Sequence, residues 1–138
     1  HTLGKLRING GAAYKFQTGV SGNPDSDSFE FTAGANLGLG RLSLRATAIY
    51  SPDDLGSAGQ SLYVEGGPAF EITKTIRLSG NVGRRERDGS PDYTSFNLGV
   101  TKTIARSIAL DARYHETGQS ELGRQFKPRV VVSARVTL

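Results

Sequence analysis

Apolar and polar residues alternate with a period of two along nearly the whole chain, in eight successive segments, and this restricts the fold to antiparallel sheet. In "RLSLRATAIYSPDD" (41–54), Leu42, Leu44, Ala46, Ala48 and Tyr50 occupy one parity, while Arg41, Ser43, Arg45 and Thr47 occupy the other. Successive strand side chains point to opposite faces, so each such segment carries an apolar face and a polar one. The other seven segments are "KLRINGGAAYKFQ" (5–17), "SFEFTAGANLGL" (28–39), "SLYVEGGPAFEI" (61–72), "TIRLSGNVGRR" (75–85), "YTSFNLGVTKTI" (93–104), "SIALDARYHE" (107–116) and "RVVVSARVTL" (129–138). Pro68 lacks a ladder donor and predicts a local distortion in its strand.

Connections alternate in length. "GR" (40–41), "TKT" (73–75) and "ARS" (105–107) are hairpin turns, whereas 18–28, 51–60, 87–92 and 117–128 are long and polar. Short turns at one end and long loops at the other describe an up-and-down meander forming one domain over residues 1–138. Closing the meander into a barrel removes its exposed edges. The 18 glycines disfavour helices, and the absence of cysteine excludes disulfides and thiolate metal sites. No apolar run reaches the roughly 20 residues of a membrane-spanning helix. The start, "HTLGKLRING", has neither an initiator Met nor a signal-peptide layout, as expected of a mature product or a fragment.

Alternation fits two opposite objects, since a soluble ligand-binding barrel turns its apolar face inward and a transmembrane barrel turns it outward. Three features favour the second. The polar face is rich in small residues, among them Gly11, Ala13, Gly34, Gly38, Gly67, Ala69, Gly83 and Gly99, which leave room in a confined interior for long charged side chains. Parity across the turns sets Glu71 opposite Arg77 and Asn36 opposite Arg45. Aromatics on the apolar face, at Tyr14, Phe16, Phe29, Tyr50 and Tyr114, gather near the long-loop end as an interfacial girdle does, with Phe70 marking the other end.

On that assignment Leu6, Ile8, Phe29, Phe31, Leu42, Leu44, Leu78, Leu98, Leu110 and Val132 face lipid. The lumen then carries Arg7, Lys15, Arg45, Arg77, Arg85, Arg113, Arg129 and Arg135 against Glu30, Glu65, Glu71 and Asp111, with His115 at its outer rim. This positive excess has two readings. In a narrow barrel the charges pair into a plug; in a wider one they lower the barrier to anions.

Catalytic chemistry finds little support. Asp111 and His115, with Ser133 and Ser95 on the same face, invite a Ser/His/Asp reading, but residues four apart on a strand are about 13 Å apart. Asp25 with Asp27, or Asp53 with Asp54, would suit at most an oxygen-ligated Ca²⁺, and "GLGR" (38–41) opens a strand where a phosphate-binding loop opens a helix. Neither an enzyme nor a cofactor is expected. The net charge of +4 admits anionic partners such as lipopolysaccharide, yet no basic cluster is dense enough to suggest nucleic acid.

From the third strand onward the ordered series "YSPDD" (50–54), "SLYVEGGPAF" (61–70), "LSGNVGRRERDG" (78–89), "DYTSFNLGVTKTI" (92–104), "IALDARYHETG" (108–118) and "RVVVSARVTL" (129–138) resembles the TorF family of bacterial outer-membrane porins. Phe96 stands where that family commonly has an aromatic, often Trp, and the family tends to be longer at its N-terminus. The resemblance implies a closed antiparallel transmembrane β-barrel in a Gram-negative outer membrane, either compact and eight-stranded or the last eight strands of a larger barrel. It also implies passive passage of small solutes, with both termini periplasmic. The alternatives are a non-conducting scaffold or adhesion barrel and, in another class, a soluble lipocalin-like binding barrel.

Overall fold

The computed structural model describes residues 1–18, 27–54 and 59–137. They form one nine-stranded antiparallel sheet, β1 (Thr2–Leu3), β2 (Leu6–Phe16), β3 (Asp27–Leu39), β4 (Leu42–Asp53), β5 (Ser61–Glu71), β6 (Ile76–Arg87), β7 (Tyr93–Ala105), β8 (Ile108–Thr117) and β9 (Arg129–Val136). Each strand pairs only with its neighbours in the chain. The eight long strands match the eight predicted segments, and the two-residue β1, which the alternation does not foretell, adds a small hairpin on β2. Asp25, most of the 18–28 connection, and Leu138 at the end of the last predicted segment lie outside the described residues.

Local chemistry explains the tight ends. Gly4 and Gly40 take positive φ (61° and 70°) at the first central position of two-residue turns whose second residues, Lys5 and Arg41, have ordinary φ. That combination is the II′ hairpin signature, which matches strand twist. At 73–75 the Thr73 hydroxyl accepts from the backbone N–H of Thr75 (3.2 Å) and Ile76 (3.0 Å), closing the turn without glycine. Arg41 then ties the β4 start to the next turn by donating to the carbonyls of Glu71 (2.8 Å) and Ile72. In the long 117–128 connection lie two 3₁₀ turns, Ser120–Leu122 and Arg124–Phe126.

Pro68 acts as its chemistry requires. β4 and β5 pair without interruption through Leu44 and Pro68, but the β5–β6 ladder skips Gly67 and Pro68, resuming at Ala69 opposite Ser79 in the same register. Here the backbones crowd: a Cβ on Gly67 would overlap the Gly80 carbonyl. Small register shifts also occur between Phe29 and Phe31 and between Thr103 and Ala105.

The faces are inverted relative to a water-soluble core. Through the middle of β5 to β8 the polar parity is half-buried or buried and the apolar parity mostly exposed, whereas toward the short turns Glu71, Arg77 and Thr103 on the polar parity are exposed as well. Leu98 is 48% exposed and Val132 74%. Of the ten residues assigned to lipid, Leu6 and Leu42 are half-buried and the others exposed. The largest fully buried side chain among the described residues is Ser51, so the covered side holds no hydrocarbon core. Residues from β3 to β9 line one common cavity, which places the polar face on the inside of a curled sheet.

The expected eight-stranded closed barrel is not what the described residues form: the nine-stranded sheet is open, and no ladder joins β9 to β1 or β2. Alternation specifies which face turns inward. It does not specify the tilt and shear that bring a first strand beside a last one.

Candidate functional site

Curling the sheet makes inward side chains converge, and the polar contacts that result often skip a strand. Arg113 on β8 is the hub. Its guanidinium grips Asp111 through Nε (3.2 Å) and Nη2 (3.1 Å), donates to Asn97 Oδ1 on β7 (2.7 Å), and reaches over β7 to Ser79 Oγ on β6 (2.8 Å). Asp111 also accepts from the Thr101 hydroxyl at 2.7 Å. The forked, always-charged guanidinium suits this multidentate role. Gly99, directly across from Arg113, makes it possible, because a Cβ there would lie 2.8 Å from Arg113 Cζ.

A second cluster faces it from β4 and β5. Arg45 pairs with Glu65 at 3.5 Å, Glu65 accepts from the Tyr63 hydroxyl at 3.0 Å, and that hydroxyl meets Ser95 Oγ on β7 at 3.2 Å. Tyr63 needs Gly83, where a Cβ would sit 2.5 Å from its hydroxyl. Asn81 stands between the clusters and serves one or the other: in one amide orientation its nitrogen donates to Asn97 Oδ1 (3.3 Å), in the other its oxygen accepts from Arg45 Nη2 (3.2 Å).

This network lies between two cavities. The one at the short-turn end, about 660 Å³, is walled by Arg45, Arg77, Arg113 and Arg135 with Glu65 and Asp111, and by Ser43, Ser79, Thr101 and Ser133. The one toward the long loops, about 550 Å³, has Tyr63, Arg85, Tyr93, Ser95, His115, Phe126, Lys127 and Arg129 in its wall. Arg85 stacks over the Tyr63 ring (5.7 Å) and reaches Asp54 (3.7 Å); Arg87 stacks over Tyr93 (5.5 Å), which packs edge-on against Phe126.

The sequence-assigned lumen charges therefore divide. Arg45, Glu65, Arg113 and Asp111 form the central network, and Lys15 with Glu30 forms a 2.6 Å ion pair at the loop end of β2 and β3. Arg85, His115 and Arg129 belong to the loop-end cavity, Arg77 and Arg135 to the turn-end cavity. Arg7 and Glu71 are exposed and line neither. Glu71 and Arg77 do stand opposite in register, but the Arg77 guanidinium reaches over β5 to Ser43 Oγ (2.9 Å). Tyr63, Ser79 and Asn81, at polar-parity positions of their strands, are with Asn97 and Thr101 the uncharged partners of these charges, and sequence reasoning gives them no role. Their signal was hydroxyl and amide groups at polar-face positions.

Of the residues weighed for catalysis, Asp111 is engaged by Arg113 and Thr101, and in register it faces Ser133 while His115 faces Asn97. Among the described residues no three His, Asp or Glu side chains group closely enough to hold a metal ion. Asp27 accepts from the Tyr14 hydroxyl at 3.1 Å.

The architecture is that of a curled antiparallel meander, apolar outside and charged and hydrogen-bonded inside. The chain belongs to a family of bacterial proteins of unknown function, Gcw_chp, whose family model matches residues 8–135. No curated protein and no solved structure matches the chain.

Proposed function

We propose that this protein is a bacterial outer-membrane β-barrel whose basic lumen passes small solutes, anions in preference to cations, with β2 and β9 closing on each other in the bilayer. The observation that carries this reading is the inversion of faces: side chains that would form a core in water lie outside, and an arginine-rich network lies within. Closure follows from the medium, because an unpaired backbone edge in hydrocarbon leaves polar groups with no partner. β9 is exposed along its length and β2 after Leu6, and an even number of long meander strands makes first and last antiparallel.

The outer face has the layout a membrane demands. β8 runs 10 residues, Ile108–Thr117, within the roughly 9–11 that a tilted membrane-spanning strand needs. At the loop end Tyr14, Tyr50 and Tyr114 direct hydroxyls to Asp27, Gln60 and Glu116, while Tyr14 packs on Phe29 (4.9 Å) and Tyr114 on Phe96 (6.0 Å). Rings anchored this way suit the headgroup zone, with lipid and lipopolysaccharide as partners. The resemblance to outer-membrane porins points the same way. A lipocalin-like role has less support, since an apolar ligand would meet charged walls.

The deciding experiment refolds the chain into detergent, confirms folding by heat-modifiable gel mobility, and records single-channel currents in planar bilayers under a salt gradient. Discrete steps with an anion-selective reversal potential are expected. A chain monodisperse without detergent would sink the membrane reading. The network between the two cavities favours one second reading, a plugged scaffold barrel acting through its loops, and silence from an inserted barrel would select it. Leu44→Arg checks the outer face separately: an arginine placed against lipid should destabilise the barrel by about 2 kcal/mol, and an unchanged urea midpoint in vesicles would contradict the assignment.

A further inference from the structure

The turn-end cavity holds four arginines and two carboxylates, and the carboxylates are taken. Glu65 pairs with Arg45, and Asp111 with Arg113. Arg77 meets only the Ser43 hydroxyl, and the Arg135 guanidinium has no hydrogen bond or ion pair among the described residues. Two permanently charged groups thus line one cavity of about 660 Å³ without an ion pair among the described residues, in the size range of small-molecule sites.

Their placement restricts what they can take. Arg77 is level with Thr101, Thr101 with Asp111, and Asp111 with Ser133; Arg135 is two residues beyond Ser133 on the same face. Three strand spacings separate β6 from β9, about 14 Å along the sheet. In register Asp111, already engaged by Arg113 and Thr101, falls between the Arg77 and Arg135 backbones, while the Arg77 guanidinium reaches over β5 to Ser43 on β4, on the side of β6 away from β9. A compact anion held midway between the two strands would meet the Asp111 charge. A longer one carrying a charge at each end can serve two spaced arginines with a neutral middle.

We propose that this cavity binds a small aliphatic dicarboxylate, one carboxylate on Arg77 and the other on Arg135, with the Ser43 and Ser133 hydroxyls beside them. The assignment rests on the inner face being a solvent-filled lumen and names the solute class that lumen would select. Guanidinium and carboxylate form forked, charge-assisted pairs, so each arginine is a separate anchor.

Isothermal titration of the folded full chain in detergent with succinate, inorganic phosphate and acetate tests this without any current being recorded. Succinate is expected to bind saturably, tighter than phosphate and acetate, and more weakly as salt is raised. R77Q and R135Q should each weaken it about tenfold, the pair together should abolish it, and R106Q, in a turn outside the cavity, should leave it unchanged. R77K, which keeps the charge but not the fork, should bind between wild type and R77Q, and carries the test if R77Q does not fold. Phosphate binding as tightly as succinate, or wild-type succinate affinity in the double variant, would overturn the proposal. A barrel that binds succinate but is electrically silent retires the channel and keeps this site; one that conducts but binds no succinate retires this site alone.

Discussion

The walls β5–β8 and the edge strands β2 and β9 follow the same alternating rule, yet they end in different physical states. In the middle of β5–β8 the inward side chains are half-buried, and Tyr63 and Arg113 hydrogen-bond across to the next strand but one. In β2 all residues after Leu6 are exposed, as are all of β9. Pattern sets the direction of a side chain. Burial and pairing come from having curled neighbours on both flanks.

That contrast can be broken most forcefully at glycine. Gly67→Ala drives a methyl into the Gly80 carbonyl, a backbone clash that only strand movement relieves, and should destabilise by about 3 kcal/mol. Gly11→Ala on β2 meets nothing within 4 Å and should stay near neutral. Chemical denaturation of both variants in detergent compares them; equal midpoints would mean the β5–β6 crowding is absent in solution.

Next in size is Arg113→Gln, which strips a carboxylate and an amide of their shared donor and should lose about 2 kcal/mol. Arg7→Gln, on the exposed edge, should change the same midpoint by less than about 0.5 kcal/mol. Matching losses would show that the central network is no tighter than the surface. Smaller than the loss at Arg113 is that of Tyr63→Phe, about 1 kcal/mol for one hydroxyl serving Glu65 and Ser95. Combined with Ser95→Ala it should be less than additive, and strict additivity would deny the contact across β6.

Much of this was written in the chain. Strand extents, turns and the register that sets Glu71 against Arg77 all follow from period two and turn chemistry. The partners did not follow, because parity compares adjacent strands while curvature joins alternate ones: Arg77 to Ser43, Tyr63 to Ser95, Arg113 to Ser79. The open seam between β2 and β9 was likewise beyond reach, since shear leaves no local mark. Pro68 and its missing ladder rungs were legible, because a lost donor is a property of the residue itself.

Contacts that bridge alternate strands also dictate an order of assembly. Every ladder joins chain neighbours, so the sheet can grow hairpin by hairpin with no segment threaded through another. Ser43 to Arg77, by contrast, must wait until a third strand has been laid down, and so must Ser79 to Arg113. For β6, β7 and β8, then, the ladder to the preceding strand can form before the side-chain tie to the strand before that, so these polar ties come after the backbone they join.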